Sequence, residues 1–168
     1  QGKVFRNDKI SLKEIENINP KAIVLSPGPC TPNEAGICVN LIKNLYKKFP
    51  IFGICLGHQS IGQAFESEIV QCNKIMHGKI SKITHNNHLL FNQIPTTFEA
   101  TRYHSLIIKK NTLHKKFEII SKTSDNIIMG IAHKEYDLFG LQFHPESIGT
   151  TIGKKIIKNF LEIIKYEN

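Results

Sequence analysis

The segment Phe52-Gly53-Ile54-Cys55-Leu56-Gly57 constrains this chain more than any other. Ile51 to Ile54 reads as a short buried strand, and LGHQSIGQAF opens a helix with no loop residues between. A strand that turns this sharply into a helix holds the residue at the corner in a strained backbone, so its neighbours must be small. Gly53 and Gly57 supply that clearance around Cys55. At a helix start, unpaired backbone N–H groups and the helix dipole favour a thiolate. The N–H of Leu56 points where a tetrahedral oxyanion would form. The alternative reading is a small buried residue that merely ends a strand.

Around this corner the chain predicts an α/β rhythm. A short strand is expected at Val4 and Phe5, then a helix that Ser11 caps and Glu14 completes as a capping box, with Leu12, Ile15 and Ile18 as its apolar stripe and Pro20 as its stop. Ala22 to Leu25 suits a strand covered on both faces, and a helix over roughly 37–47 precedes the strand that leads to Cys55. Shorter strands are expected at Ile69–Cys72, Lys79–Thr84, around Phe98, at Leu106–Ile108, Phe117–Ser121 and Ile127–Ala132. A last strand, Gly140 to Phe143, ends directly at His144, and a helix from Thr151 to Lys165 follows. The fold class expected is α/β: one domain with a single open, mostly parallel sheet flanked by helices.

The partner for a reactive cysteine lies far along the chain. FHPES sets His144 and Glu146 just after a short strand, with Pro145 restricting the chain between them. A cysteine hydrolase or transferase needs a base that deprotonates the thiol and later protonates a leaving amine, and histidine does both near neutral pH. A carboxylate on the other ring nitrogen fixes the tautomer, which Glu146 is placed to do. A polar turn is the competing reading of His-Pro-Glu, and His58, His77, His85, His88, His104, His114 and His133 compete as bases. Both parts stand at strand ends, which favours one crevice at the carboxyl edge of a parallel sheet. Gly28 in SPGP brings a bare backbone close, with its N–H as a second oxyanion donor, unless the loop is only a structural turn. Gln59, one helical turn beyond Cys55, is a candidate for recognising a polar substrate group, and RYHSL (Arg102 to Leu106) offers backbone amides and carbonyls from another strand end.

Composition removes other classes. Lys and Arg outnumber Asp and Glu by 22 to 14, but only Arg6 and Arg102 are arginines and the lysines are scattered in pairs, which is no nucleic-acid footprint. No apolar run is long enough for a membrane span. The four cysteines form no C-x-x-C pair, and with no H-E-x-x-H either, no metal site is expected. The opening residues carry no secretory-signal pattern, so thiols in a reducing compartment are the default.

Together, LSPGPCTPNEAG (25–36), FGICLGHQSIGQAF (52–65), MHGK (76–79), TRYHSL (101–106) and GLQFHPESIGT (140–150) resemble the triad, or class I, glutamine amidotransferases. The first loop, MHGK and RYHSL resemble the branch that supplies the small subunits of anthranilate synthase and aminodeoxychorismate synthase. The resemblance implies a flavodoxin-like fold and a triad of Cys55, His144 and Glu146, with Gly28 and Leu56 stabilising the oxyanion. It also implies glutamine contacts at Gly28, Pro29, Cys30, Gln59, Ser105 and Leu106. The substrate would be L-glutamine, and ammonia would pass to a large chorismate-binding synthase subunit. That partner would need magnesium, while no cofactor is expected in this chain.

Relatives begin with a strand and helix before the segment matched by GKVFRND, so the resemblance implies a domain over 1–168 that is incomplete at its N-terminus, lacking the first strand and helix. The expected function is the glutaminase component of anthranilate synthase in tryptophan biosynthesis. The alternatives are the folate-branch partner or a subunit shared by both, then a γ-glutamyl peptidase or a noncatalytic binding module. The expected compartment is the cytoplasm or, given the Ile, Lys and Asn bias, a plastid stroma.

Overall fold

In the computed structural model, which describes residues 2–166, local signals build the first elements as expected. The Ser11 hydroxyl caps α1 (Leu12–Ile18) by accepting from the Glu14 N–H, and the Glu14 carboxylate accepts from the Ser11 N–H at 2.8 Å. Asn19, left-handed at φ 49°, closes the helix before Pro20. Then come β1 (Ile23–Leu25), α2 (Cys38–Leu45), β2 (Ile51–Ile54) and α3 (Leu56–Ala64). The helical crossover α2 makes β1 and β2 parallel, with Ile23 opposite Ile51.

Beyond α3 the chain changes style. It runs through β3 (Ile69–His85), β4 (Thr97–Ile108), β5 (Phe117–Thr123), β6 (Ile128–His133) and β7 (Leu138–Leu141) before α4 (Gly153–Tyr166). These elements form one seven-stranded sheet in the order β1-β2-β7-β6-β5-β3-β4. β7 lies parallel to β2, Gly53 opposite Gly140, and the four remaining pairings are antiparallel. The sheet is therefore mixed and mostly antiparallel, which corrects the expected mostly parallel one. From β3 to β7 no α-helix separates successive strands, and without a crossover helix short connections reverse the chain.

Other boundaries also move. The expected pieces Ile69–Cys72 and Lys79–Thr84 are ends of one 17-residue strand, and the pieces around Phe98 and Leu106 are one 12-residue strand. Register shifts between Gln71 and Met76 and between His77 and Lys79 let pairing continue through polar residues that break the apolar alternation. The last strand stops at Leu141, short of the expected Phe143. Among the described residues no ladder forms at Val4 and Phe5, and Val4 is 97% exposed. Val24 is 56% exposed on β1, an edge strand of the sheet, which corrects the expectation of cover on both faces.

Alternation along β2 and β7 divides two cores. Ile51 and Leu138 pack with Leu41, Ile42 and Ile61 of α2 and α3, while Phe52, Phe139 and Leu141 pack with Ile156 and Phe160 of α4. On the α3 face the strands present glycine. A Cβ on Gly53 would lie 2.5 Å from the Gly57 carbonyl carbon, and one on Gly57 would lie 2.5 Å from the Leu25 carbonyl oxygen. The start of α3 thus rests on backbone. His58, wholly buried there, is held neutral, its pKa lowered to about 3 chiefly by burial.

Gly57→Ala is expected to destabilise the fold by roughly 1–3 kcal/mol through overpacking against β1, measured by chemical denaturation. Acid should weaken the fold through His58. Unfolded, it takes up a proton below about pH 6.5, whereas folded it resists protonation to about pH 3. Its contribution is therefore intact above pH 6.5 and falls away as pH drops through that window, and His58→Gln should blunt the loss in denaturation curves taken from pH 7 to 4.

Candidate active site

Cys55 caps α3 with φ 53° and ψ −100°, left-handed and strained for a non-glycine residue. Its N–H donates to the Leu141 carbonyl of β7 at 2.8 Å. The sulfur has two partners: Sγ donates to the Tyr103 carbonyl at 3.7 Å, and Gln142 Nε2 donates to Sγ at 3.7 Å.

His144 is held by the same strand. Its backbone N–H donates to the Thr101 carbonyl at 3.0 Å, and its ring stands edge-on to Tyr103 with centroids 5.1 Å apart. Nδ1 pairs with Glu146 Oε1 at 2.6 Å, while Nε2 is buried without a hydrogen-bond partner. β4 therefore contacts both the cysteine and the His–Glu pair, Tyr103 through its carbonyl and its ring.

The other expected residues gather less uniformly. Gly28 lies against Leu56, where an added Cβ would come within 2.8 Å of Cδ2. Pro29 and Cys30 are exposed in the same loop, Cys30 at φ 64°. Ser105 is exposed on β4, and none of these three side chains hydrogen-bonds Cys55 or His144. Gln59 is buried, and its Nε2 donates to the Leu106 carbonyl at 3.0 Å and to Gln142 Oε1 at 3.3 Å. Sequence reasoning missed Gln142 and the ring of Tyr103. Gln142 stands two residues before His144, and in the strand the sequence predicts there alternation sets both on one face, which was the available signal.

The electrostatics correct one expectation. Burial pushes the Cys55 thiol up to about 11, and the Glu146 charge adds to the rise. The Leu56 N–H and the Gln142 amide pull it down but do not win, so the resting sulfur is a thiol in spite of the helix start. Among the described residues no group of His, Cys, Asp or Glu could hold a metal ion, and no helix is long and apolar enough to cross a membrane.

Because the raised pKa keeps Cys55 protonated through neutral pH, its alkylation by iodoacetamide should climb steadily from pH 7 to pH 10 without levelling near 8.5. Glu146→Gln removes a charge that disfavours the thiolate and should move that rising limb to lower pH, as mass-spectrometric rates would report.

A family model described as glutamine amidotransferase class-I matches residues 1–164. The bifunctional protein TrpGD of Thermotoga maritima is 52% identical over 95% of this chain, which spans only 27% of that protein's length. The aminodeoxychorismate/anthranilate synthase component 2 of Bacillus subtilis is 46% identical over 98% of this chain and 84% of its own. A solved protein of Thermoplasma acidophilum, described as a GMP synthase subunit, superposes with a TM-score of 0.84 at 25% identity, covering 96% of this chain and 79% of its own. The seven-stranded sheet is thus an open α/β sheet of the flavodoxin-like kind, and the chain belongs to the class-I glutamine amidotransferase family.

Proposed function

We propose that this chain is the glutaminase component of an anthranilate synthase. The observation that carries the reading is the convergence on β4 of a strained cysteine and a His144–Glu146 pair whose Nε2 is unpartnered. Cys55 Sγ gives its proton to His144 and attacks the side-chain amide carbon of L-glutamine. The C–N bond then breaks, and ammonia leaves with the proton from His144. His144 next takes a proton from water, which attacks the thioester carbon; the C–S bond breaks, glutamate departs and the His144 proton returns to the sulfur. Glu146 holds the ring by its other nitrogen. The N–H groups of Gly28 and Leu56, neighbours at the elbow, stabilise both oxyanions.

Glutamine contacts are assigned to Gly28, Pro29, Cys30, Gln59, Ser105 and Leu106. Because the Gln59 NH2 group is committed to Leu106 and Gln142, its carbonyl oxygen is the atom for a substrate N–H. The ammonia acceptor is chorismate on a large, magnesium-requiring synthase subunit. The surface around His144 supports such a partner. Tyr103 is exposed beside it, and Ile148, fully exposed, adjoins Gly149, which lies against exposed Ile80. The folate branch is the second reading, favoured by the double name of the Bacillus subtilis relative. The compartment that goes with either is the cytoplasm or a plastid stroma, the latter supported by the Ile-, Lys- and Asn-rich composition.

With amide-labelled glutamine, chorismate, magnesium and a cognate large subunit, labelled anthranilate is expected. Cys55→Ala should abolish it while leaving synthesis from free ammonia intact. Labelled product from the Cys55→Ala chain would overturn the mechanism; labelled aminodeoxychorismate in place of anthranilate would assign the folate branch. Ile148→Asp should weaken binding to the large subunit by about tenfold or more, as expected when a charge is forced into an apolar contact, and titration calorimetry would read it.

A further inference from the structure

Gln142 is wholly buried, yet its side chain is fully engaged. Nε2 donates to Cys55 Sγ at 3.7 Å, and Oε1 accepts from Gln59 Nε2 at 3.3 Å. A buried glutamine placed against a nucleophile has two orientations. One offers the sulfur a donor, the other an acceptor that repels the thiolate.

The surrounding bonds select the donor. A backbone carbonyl can only accept, so the Leu106 oxygen turns the NH2 group of Gln59 toward itself at 3.0 Å. That same NH2 group then faces Gln142 as a donor and requires Oε1 in return. Leu106 is held from the other side. Arg102, which can only donate, gives its Nε–H to His104 Nε2 at 3.0 Å, leaving His104 Nδ1–H to donate to the Leu106 oxygen at 3.0 Å. Arg102 is itself anchored on Ser81 Oγ of β3 at 3.2 Å. Every link has one allowed direction, and the chain ends on the sulfur.

We propose that Gln142 is a positioning residue for Cys55, its amide locked by Gln59 and the Leu106 carbonyl so that it always presents a donor to the sulfur. Its partners at Sγ divide the work. The Tyr103 carbonyl accepts from the resting thiol, and Gln142 is ready for the thiolate once the proton has left. The direction agrees with the lowering influence of Gln142 on the thiol. The segment from β7 to His144 thus supplies the base and, two residues earlier, a donor to the nucleophile.

This inference rests on Cys55 being the nucleophile, so its test uses two readouts. The first is the rate of Cys55 alkylation by iodoacetamide against pH, which needs neither glutamine nor a partner; the second is glutamine hydrolysis. Gln142→Met, which removes the donor, should slow alkylation at pH 8 by about 3–10-fold, and Gln142→Glu by more, with the rising limb displaced to higher pH. In hydrolysis kcat should fall while KM for glutamine stays within about twofold, since Gln59 keeps its bond to the Leu106 carbonyl in both variants. Gln59→Glu is the second route: a carboxylate at that position would accept where the amide donates, turn the Gln142 amide over, and slow alkylation although residue 142 is unchanged. Wild-type pH profiles in all three variants would overturn the proposal while leaving the nucleophile intact. Should either Gln142 variant fail to fold, Gln59→Glu decides. An unreactive wild-type Cys55, or hydrolysis surviving in Cys55→Ala, would instead sink the functional reading beneath it.

Discussion

The seat of α3 on the sheet is the contact on which the rest depends. A helix can begin one residue after a strand only if its first turn lies almost on the backbone below, and here glycine meets glycine and carbonyl with no room for a Cβ. That approach holds Cys55 in its left-handed conformation, a strain of about 1–3 kcal/mol that the surrounding packing must offset. It also brings Gln59, one turn along, over the end of β7. A looser seat would relax the elbow and part the sulfur from both of its partners.

β4 is the second organiser. Its Thr101 carbonyl fixes the backbone of His144, its Tyr103 carbonyl faces Sγ, the Tyr103 ring flanks the imidazole, and its Leu106 carbonyl gathers Gln59 and His104. One strand therefore serves Cys55 and Gln59 at the start of α3 and, far along the chain, His144. Its alternation explains the division: Arg102 and His104 turn inward to a buried polar network, while Tyr103 and Ser105 face out. The network is costly to bury and tolerable only because most of its members are paired, which also leaves it little freedom to rearrange.

Much of this was legible in the residues. The capping box at Ser11 and Glu14, the buried strand at Ile51–Ile54, the elbow and the His–Glu pair each depend on neighbours within a few positions, so local spacing reveals them. The direction of the strands after α3 is not legible locally, because it depends on what joins them, and polar stretches that look like loops are bulged strand in β3. The thiolate expectation failed for a similar reason. The helix start is visible in sequence, but the desolvation that outweighs it comes from everything packed around Cys55.

By itself, then, the sequence determined the cysteine corner, the paired histidine and glutamate, and the glycines that the corner demands, because these obey short-range backbone geometry. Only the tertiary structure decided that Tyr103 touches both cysteine and histidine, that Gln142 turns a donor toward the sulfur, and that the resting sulfur keeps its proton. The reason is physical: hydrogen-bond direction and desolvation are properties of groups brought together across the sheet, and no spacing along the chain encodes which way a buried amide must face.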